Sequence, residues 1–322
     1  MSPYIGNPAT HQLPAHFASH RARSGGNAGA REPAHIEVSR SHYRNLVVEL
    51  DPADKTYWCY MQPQGRPSFT PDLLNDISDM QRSIQRMFAE RSDEEAPVRY
   101  FVFASGLPGI YSLGGDLGLF ADKIRDRNRA ALRRYAHIAI EAIHRNHVAF
   151  DTPVVTMALV QGDALGGGFE CALSLDMIVA ERSAKMGLPE ILFNLFPGMG
   201  AYSFLSRRIG AIATEKMITS GRIYTAEELH EIGVVDVLAE DGKGAETVRE
   251  YVAEHGRKHN AHRALYQARR RVNPIPLDEL RDVVDIWVEA CLGLGEADLR
   301  KMGRLTAAQD RRRATVVPIA AE

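Results

Sequence analysis

Apolar positions recur along the chain with two spacings, and the switch between them marks out the elements. Leu46 to Leu50 and Tyr57 to Met61 read as strands joined by a turn at Asp51-Pro52. Leu74, Ile77, Met80, Ile84 and Met87 keep helical spacing, which predicts a helix from Pro71 to Ala89 with Thr70 as N-cap and Pro71 at its first position. Arg99 to Ala104 is a short apolar strand followed by a glycine-bearing turn, Gly106-Leu-Pro-Gly-Ile-Tyr-Ser-Leu-Gly-Gly-Asp116. Asp116 then caps a long helical region reaching about His147 and broken in the middle. A second round comes next. The apolar run Val154 to Val160 meets a turn signal at Gln161-Gly162-Asp163, then the triplet Gly166, Gly167 and Gly168, and Glu170 opens a segment of helical period. Met177 to Ala180 is a further strand, leading to Gly187-Leu-Pro-Glu190. Ala245 to Arg257, Ala261 to Arg271 and Leu277 to Leu292 are helical, the last two divided by Asn273-Pro-Ile-Pro276. Strand, turn and helix twice over argue for repeated ββα or βαβ units, an α/β fold with a helical carboxy-terminal extension.

The expected organisation has three parts: a disordered tail (1–38), a core (39–240) and a helical region (241–322). The tail is rich in Pro, Gly, Ala, His and Ser, keeps no hydrophobic period, and has no acid before Glu32. Arginine and serine without acids also resemble a transit peptide, a reading its Pro and Gly content opposes, and no apolar stretch suits a secretory signal.

Composition narrows the function classes. The 322 residues carry a formal net charge of −2 with 25% charged residues, so no global field favours nucleic acid or an anionic membrane. No apolar run approaches the ~18 residues of a membrane span. Cys59, Cys171 and Cys291 are far apart, which fits a reducing, cytoplasmic setting and no metal framework.

The candidate chemistry lies in the second round. Glu170 and Glu190 are flanked by apolar and glycine residues, which suggests burial, and carboxylates are rarely buried without a task or a partner. Glycines where a strand turns into a helix let the backbone approach a ligand and leave N–H groups unpaired at the helix N-terminus, where they stabilise an oxyanion. Two such turns in adjacent units could place two N–H donors around one carbonyl oxygen. Blander readings stand beside these. Either glutamate can serve as a first-turn acid meeting a helix dipole. Asp116 reads as an N-cap, Cys171 as a small buried thiol, and His137, His144 and His147 as packed or solvated residues without further metal ligands. Basic clusters at Arg269 to Arg271 and Arg311 to Arg313 suit a solvated face, or an acidic carrier or phosphate groups.

Together these stretches resemble the crotonase, or enoyl-CoA hydratase/isomerase, superfamily. The resemblance is carried by Ile110-Tyr-Ser-Leu-Gly-Gly-Asp116, Gln161-Gly-Asp-Ala-Leu-Gly-Gly-Gly-Phe-Glu170, Gly187-Leu-Pro-Glu190, Phe196-Pro-Gly-Met-Gly200, Thr219-Ser-Gly-Arg-Ile-Tyr-Thr-Ala-Glu-Glu-Leu229 and Gly233-Val-Val-Asp236. It implies a crotonase fold of repeated ββα units forming a spiral sheet, with oxyanion donors at the backbones of Gly115 and Gly167. It places the two acid/base carboxylates at Glu170 and Glu190. It also implies carboxy-terminal helices that cover the site and build a trimer or a dimer of trimers.

A narrower resemblance is to the diffusible signal factor synthases of bacterial quorum sensing. It rests on Trp58-Cys-Tyr-Met61, Phe69-Thr-Pro71, Tyr111-Ser-Leu-Gly-Gly-Asp-Leu-Gly-Leu-Phe120 and Glu190-Ile-Leu-Phe-Asn-Leu-Phe-Pro-Gly-Met-Gly-Ala-Tyr-Ser-Phe204. Ser112 stands where an asparagine is common, and the amino-terminal tail is longer. That family is implied to dehydrate a 3-hydroxyacyl thioester to a cis-2-enoyl chain and to hydrolyse the thioester, releasing a fatty acid signal. The substrate would arrive on the phosphopantetheine of acyl carrier protein or on coenzyme A, with no other cofactor, and an acyl pocket would fall on Leu165, Met199, Trp287 and Leu305. On this reading an apolar wall of Phe169, Leu188, Ile191 and Phe193 would desolvate a carboxyl group and raise its pKa. An ordinary enoyl-CoA hydratase, and a non-catalytic crotonase-fold partner of a sensor protein, remain the alternatives.

Overall fold

The computed structural model describes residues 32–91 and 96–314, with side chains described to residue 311. The folded unit begins at Ala34. Most of the expected tail lies outside the described residues. Its end does not stay free of the fold. Ala34–Ser39 forms α1, and Val38 is buried in the main core, so the folded chain starts several residues earlier than expected.

Among the described residues the strands form two sheets. The larger runs β1 (Leu46–Asp51), β2 (Thr56–Met61), β3 (Tyr100–Ser105), β5 (Val155–Val160), β7 (Met177–Glu181) and β10 (Val237–Ala239) in that order. Its pairings are parallel except the β1–β2 hairpin. β3, β5 and β7 are buried at every position, as expected of parallel strands covered on both faces. Alternation divides their side chains between two cores. Phe101 and Phe103 face the larger core, while Tyr100, Val102 and Ala104 face the smaller. α9 (Gly244–His255) and α10 (His259–Val272) cover the smaller one, through Val248, Val252 and Tyr266.

The second sheet was not expected. It consists of β4 (Gly109–Ser112), β6 (Gly162–Leu165), β8 (Lys185–Gly187) and β9 (Ile223–Thr225). Gln161-Gly162-Asp163, read as a turn, therefore leads straight into a strand. Gly162 makes the pairing possible, because a Cβ there would stand 2.1 Å from the carbonyl carbon of Gly109 on β4. The parallel strands β4, β6 and β8 deliver their carboxy-terminal ends to the same region, while β9 runs the other way.

α2 (Pro71–Ala89) starts as predicted, with the Thr70 hydroxyl accepting from Leu73 N–H at 3.3 Å. The long helical region is broken in the middle into α3 (Leu117–Arg125) and α4 (Arg129–His147), and the Asp116 carboxylate caps α3 by accepting from Leu119 N–H. α5 (Gly167–Leu173) follows the glycine triplet. α6 (Ala201–Ile209), α7 (Ala211–Ser220) and α8 (Ala226–Glu231) come next, and after β10 the chain is helical through α11 (Leu277–Leu292) and α12 (Glu296–Ala314). The basic run on α10 is built into the fold. Arg269 and Arg270 lie 3.1 and 2.7 Å from Asp176, a buried carboxylate that also accepts from Thr156 N–H. Those two guanidinium groups clamp α10 to the start of β7 and do not form a freely solvated face. Among the described residues no helix is long and apolar enough to cross a membrane, and no group of three or more His, Cys, Asp and Glu residues could hold a metal ion.

Candidate active site

The two glycine turns abut. A Cβ built on Gly114 would lie 3.2 Å from Gly167 N, and one built on Gly167 would lie 3.4 Å from Gly115 N. Only residues without side chains allow the two backbones to come this close. Gly114 (φ +93) and Gly166 (φ +52) also adopt the left-handed region. The peptides orient themselves from outside the site. Phe69 N–H donates to Gly114 C=O at 2.8 Å, so the trans peptide turns the Gly115 N–H the other way. Gly166 C=O accepts from Glu170 N–H inside the first turn of α5, which leaves Gly167 N–H projecting from the helix start. Among the described residues neither N–H finds a protein acceptor. Both glycines line one cavity.

Glu170 and Glu190 line the same cavity. Glu170 stands in the first turn of α5 and is buried, and its Oε1 accepts from Ala201 N–H at 3.0 Å, at the N-terminus of α6. Burial pushes its carboxyl well above the usual range, and the Glu190 charge adds to the push. The N–H groups of Ala201 and Met199 pull the other way without overcoming it. Glu190 sits in the 3₁₀ turn Pro189–Phe193 and keeps some solvent exposure, yet its Oε2 is buried without a hydrogen-bond partner. Burial raises this carboxyl to about 7, against the opposing effect of its own N–H. Gly166 makes room for the group, since a Cβ there would fall 2.3 Å from Glu190 Oε1. The arrangement can hold one proton and leave a second carboxylate poised near neutrality, beside two donors suited to an oxyanion.

The expected acyl pocket is half assembled. Met199 and Trp287 line the cavity, Met199 Sδ standing against Gly167 and Trp287 against Gly198. Leu165 and Leu305 do not. On β6 it is Ala164 that enters the core, so alternation sends Leu165 elsewhere. Leu305, on α12, packs partly buried on the main core outside the cavity lining. The expected desolvating wall also changes. Phe193 lines the cavity, Phe169 and Leu188 are buried away from it, and Ile191 is exposed. Leu117, Phe120, Tyr135, Ala136, Leu195 and Val284 supply further apolar lining. Phe120 and Leu195 fall inside the stretches that carry the narrower resemblance but are not singled out there as pocket residues. Tyr135 and Val284 show only as apolar positions of helical period on α4 and α11, a signal that says buried and does not say where.

The sequence pattern of the family described as Enoyl-CoA hydratase/isomerase matches residues 71–273. Rat mitochondrial methylglutaconyl-CoA hydratase is 32% identical over 190 residues, 56% of this chain and 52% of that protein. Human mitochondrial enoyl-CoA hydratase domain-containing protein 2 is 34% identical over 152 residues, 47% and 50% of the two chains. The chain spans about half the length of the curated relatives it matches. Among solved structures, an enoyl-CoA hydratase from Bacillus halodurans superposes with a TM-score of 0.65 at 20% identity, over 81% of this chain and 99% of that one. Pseudomonas aeruginosa DspI superposes with a TM-score of 0.59 at 27% identity, over 73% and 83%. Two abutting glycine turns and the two cavity-lining glutamates fall inside the matched segment, which is more than half of the sequence, and the chain belongs to the enoyl-CoA hydratase/isomerase family.

Proposed function

We propose that this protein dehydrates a 3-hydroxyacyl thioester to a cis-2-enoyl chain and then hydrolyses the thioester, releasing a free fatty acid signal. The observation that carries the dehydration step is the pair of carboxyls with raised pKa values on one cavity, beside two N–H groups that find no protein acceptor among the described residues. The thioester oxygen accepts from Gly115 and Gly167 N–H, which acidifies the C2 proton. Glu190, ionised near neutral pH, takes that proton. Glu170, which holds its own more tightly, delivers it to the departing 3-hydroxyl, and water leaves. Hydrolysis uses the same donors: water activated by a glutamate adds to the carbonyl carbon, the carbon–sulfur bond breaks, and the thiol leaves with a proton. Met199 and Trp287 flank the acyl chain. Acyl carrier protein or coenzyme A carries the substrate.

The signal-synthase branch of this reading is supported by the resemblance of the stretches around Trp58, Phe69, Tyr111 and Glu190. A second reading, an enoyl-CoA hydratase that leaves the thioester intact, is supported by the likeness to methylglutaconyl-CoA hydratase. Mass spectrometry of lipids from a host expressing the protein separates them, beside a Glu170→Gln/Glu190→Gln control. A free cis-2-enoic acid, absent from the control, is the expected result and gives the chain length. Its absence, with hydration of enoyl-CoA by the purified protein, selects the hydratase. No turnover of either thioester defeats both.

A further inference from the structure

Gly114 and Gly115 have no side chains with which to hold their peptides, and within the turn Ser112 Oγ accepts only from Gly114 N–H, at 3.3 Å. Phe69 N–H fixes the peptide before Gly115, through Gly114 C=O. The peptide after it is held by Tyr135 of α4. The Tyr135 hydroxyl donates to Phe69 C=O at 2.5 Å and accepts from Asp116 N–H at 3.3 Å. One buried oxygen thus joins the two segments that pair at Phe69 and Gly115. It stands 3.6 Å from where a Gly115 Cβ would be. The ring is fixed as well, edge-on to Phe120 at 5.0 Å, and Phe120 packs in turn on Trp287. An N–H donor stabilises an oxyanion only when it is aimed at the place where the charge develops, and groups behind it keep that aim.

We propose that Tyr135 is a positioning residue for the oxyanion site: by tying Phe69 to Asp116 its hydroxyl aims the Gly115 N–H at the thioester oxygen and sets how strongly that carbonyl is polarised. This rests on the reading of Gly115 and Gly167 as the oxyanion donors.

The test reads polarisation directly. Hexadienoyl-CoA is a conjugated thioester whose absorption moves to longer wavelength when its carbonyl accepts strong hydrogen bonds. Bound to the Glu170→Gln/Glu190→Gln protein, where hydration is blocked, it should show that shift. Adding Tyr135→Phe, which removes one oxygen and keeps the ring, should reduce the shift by half or more and change the probe's Kd less than about threefold. With both glutamates intact, Tyr135→Phe should lower kcat by about 10- to 100-fold, less than the ~10²–10³-fold that outright loss of one oxyanion donor costs, while KM stays within about threefold. Tyr135→Met, without ring or hydroxyl, is the second variant should the first fold poorly, and it should lose the shift equally. A full shift and full kcat in either variant overturns the positioning role and leaves the two donors standing. No shift with Tyr135 present overturns the donor reading itself, and this proposal with it.

Discussion

At the scale of single residues, the proposed chemistry depends on where two carboxyl groups sit. Glu170 is buried at the start of a helix and beside a second acid, and both conditions favour keeping its proton. Glu190 is raised to about 7 by burial. The two titrate as a pair. The proposed dehydration uses Glu190 ionised and Glu170 protonated, so on that reading turnover should rise through a limb near pH 7 and fall again at higher pH. A pH–rate profile checks this, and Glu190→Gln should abolish the acid limb together with about 10²-fold or more of the rate. Stability carries the same signature. The folded-state value lies above the ordinary 4.5, so the folded chain binds more protons between about pH 4.5 and 7, and stability falls as pH rises through that window. Glu190→Gln should remove on the order of 2–3 kcal/mol of that fall, read from denaturant melts at pH 5 and pH 8.

At the scale of elements, the site depends on turns that exclude side chains. Gly166 illustrates it. Its φ is +52, and a Cβ would run into Glu190 Oε1. Gly166→Ala should therefore cost about 1–3 kcal/mol and displace the Glu190 carboxyl, lowering kcat at least tenfold. Gly65→Ala is the contrast, since a Cβ there meets nothing within 4 Å; it should stay within about 0.5 kcal/mol of the parent and keep full turnover. Melting curves and steady-state rates of the two variants decide whether the first effect belongs to the site or to glycine replacement in general. The same exclusion explains the second sheet. Its strands are only three or four residues long, and Gly162 and Gly187 allow the close pairing that a Cβ would block.

At the scale of the whole molecule, the cavity is closed by parts of the chain far apart in sequence. Trp287 and Val284 come from α11, over a hundred residues after Glu170, and α11 packs along α4, which supplies Tyr135. α12 reaches back to the first glycine turn, where buried Gln309 donates to Leu113 C=O at 2.8 Å. The carboxy-terminal helices are therefore part of the site. Trp287→Ala should cost about 3–5 kcal/mol through the void it leaves. It should also open the cavity beside Gly198, raising KM for short acyl chains and shifting preference toward longer ones. Thermal melts and a chain-length series of thioesters check both halves.

The sequence by itself determined the local elements. Periodicity and capping residues carry α2, the break between α3 and α4, and the buried strands, because these follow from spacing and from Thr70 and Asp116 in their own neighbourhoods. Isolated acids among apolar residues likewise marked Glu170 and Glu190, and the family resemblance marked Gly115 and Gly167 within the glycine turns. Tertiary structure decided the rest. The second sheet was hidden because strands this short have no measurable alternation. Leu165 and Leu305 left the expected pocket, and Phe120, Tyr135, Leu195 and Val284 entered it. A period of apolar residues says that a face is covered, while which cavity that face meets is fixed only when distant helices pack together.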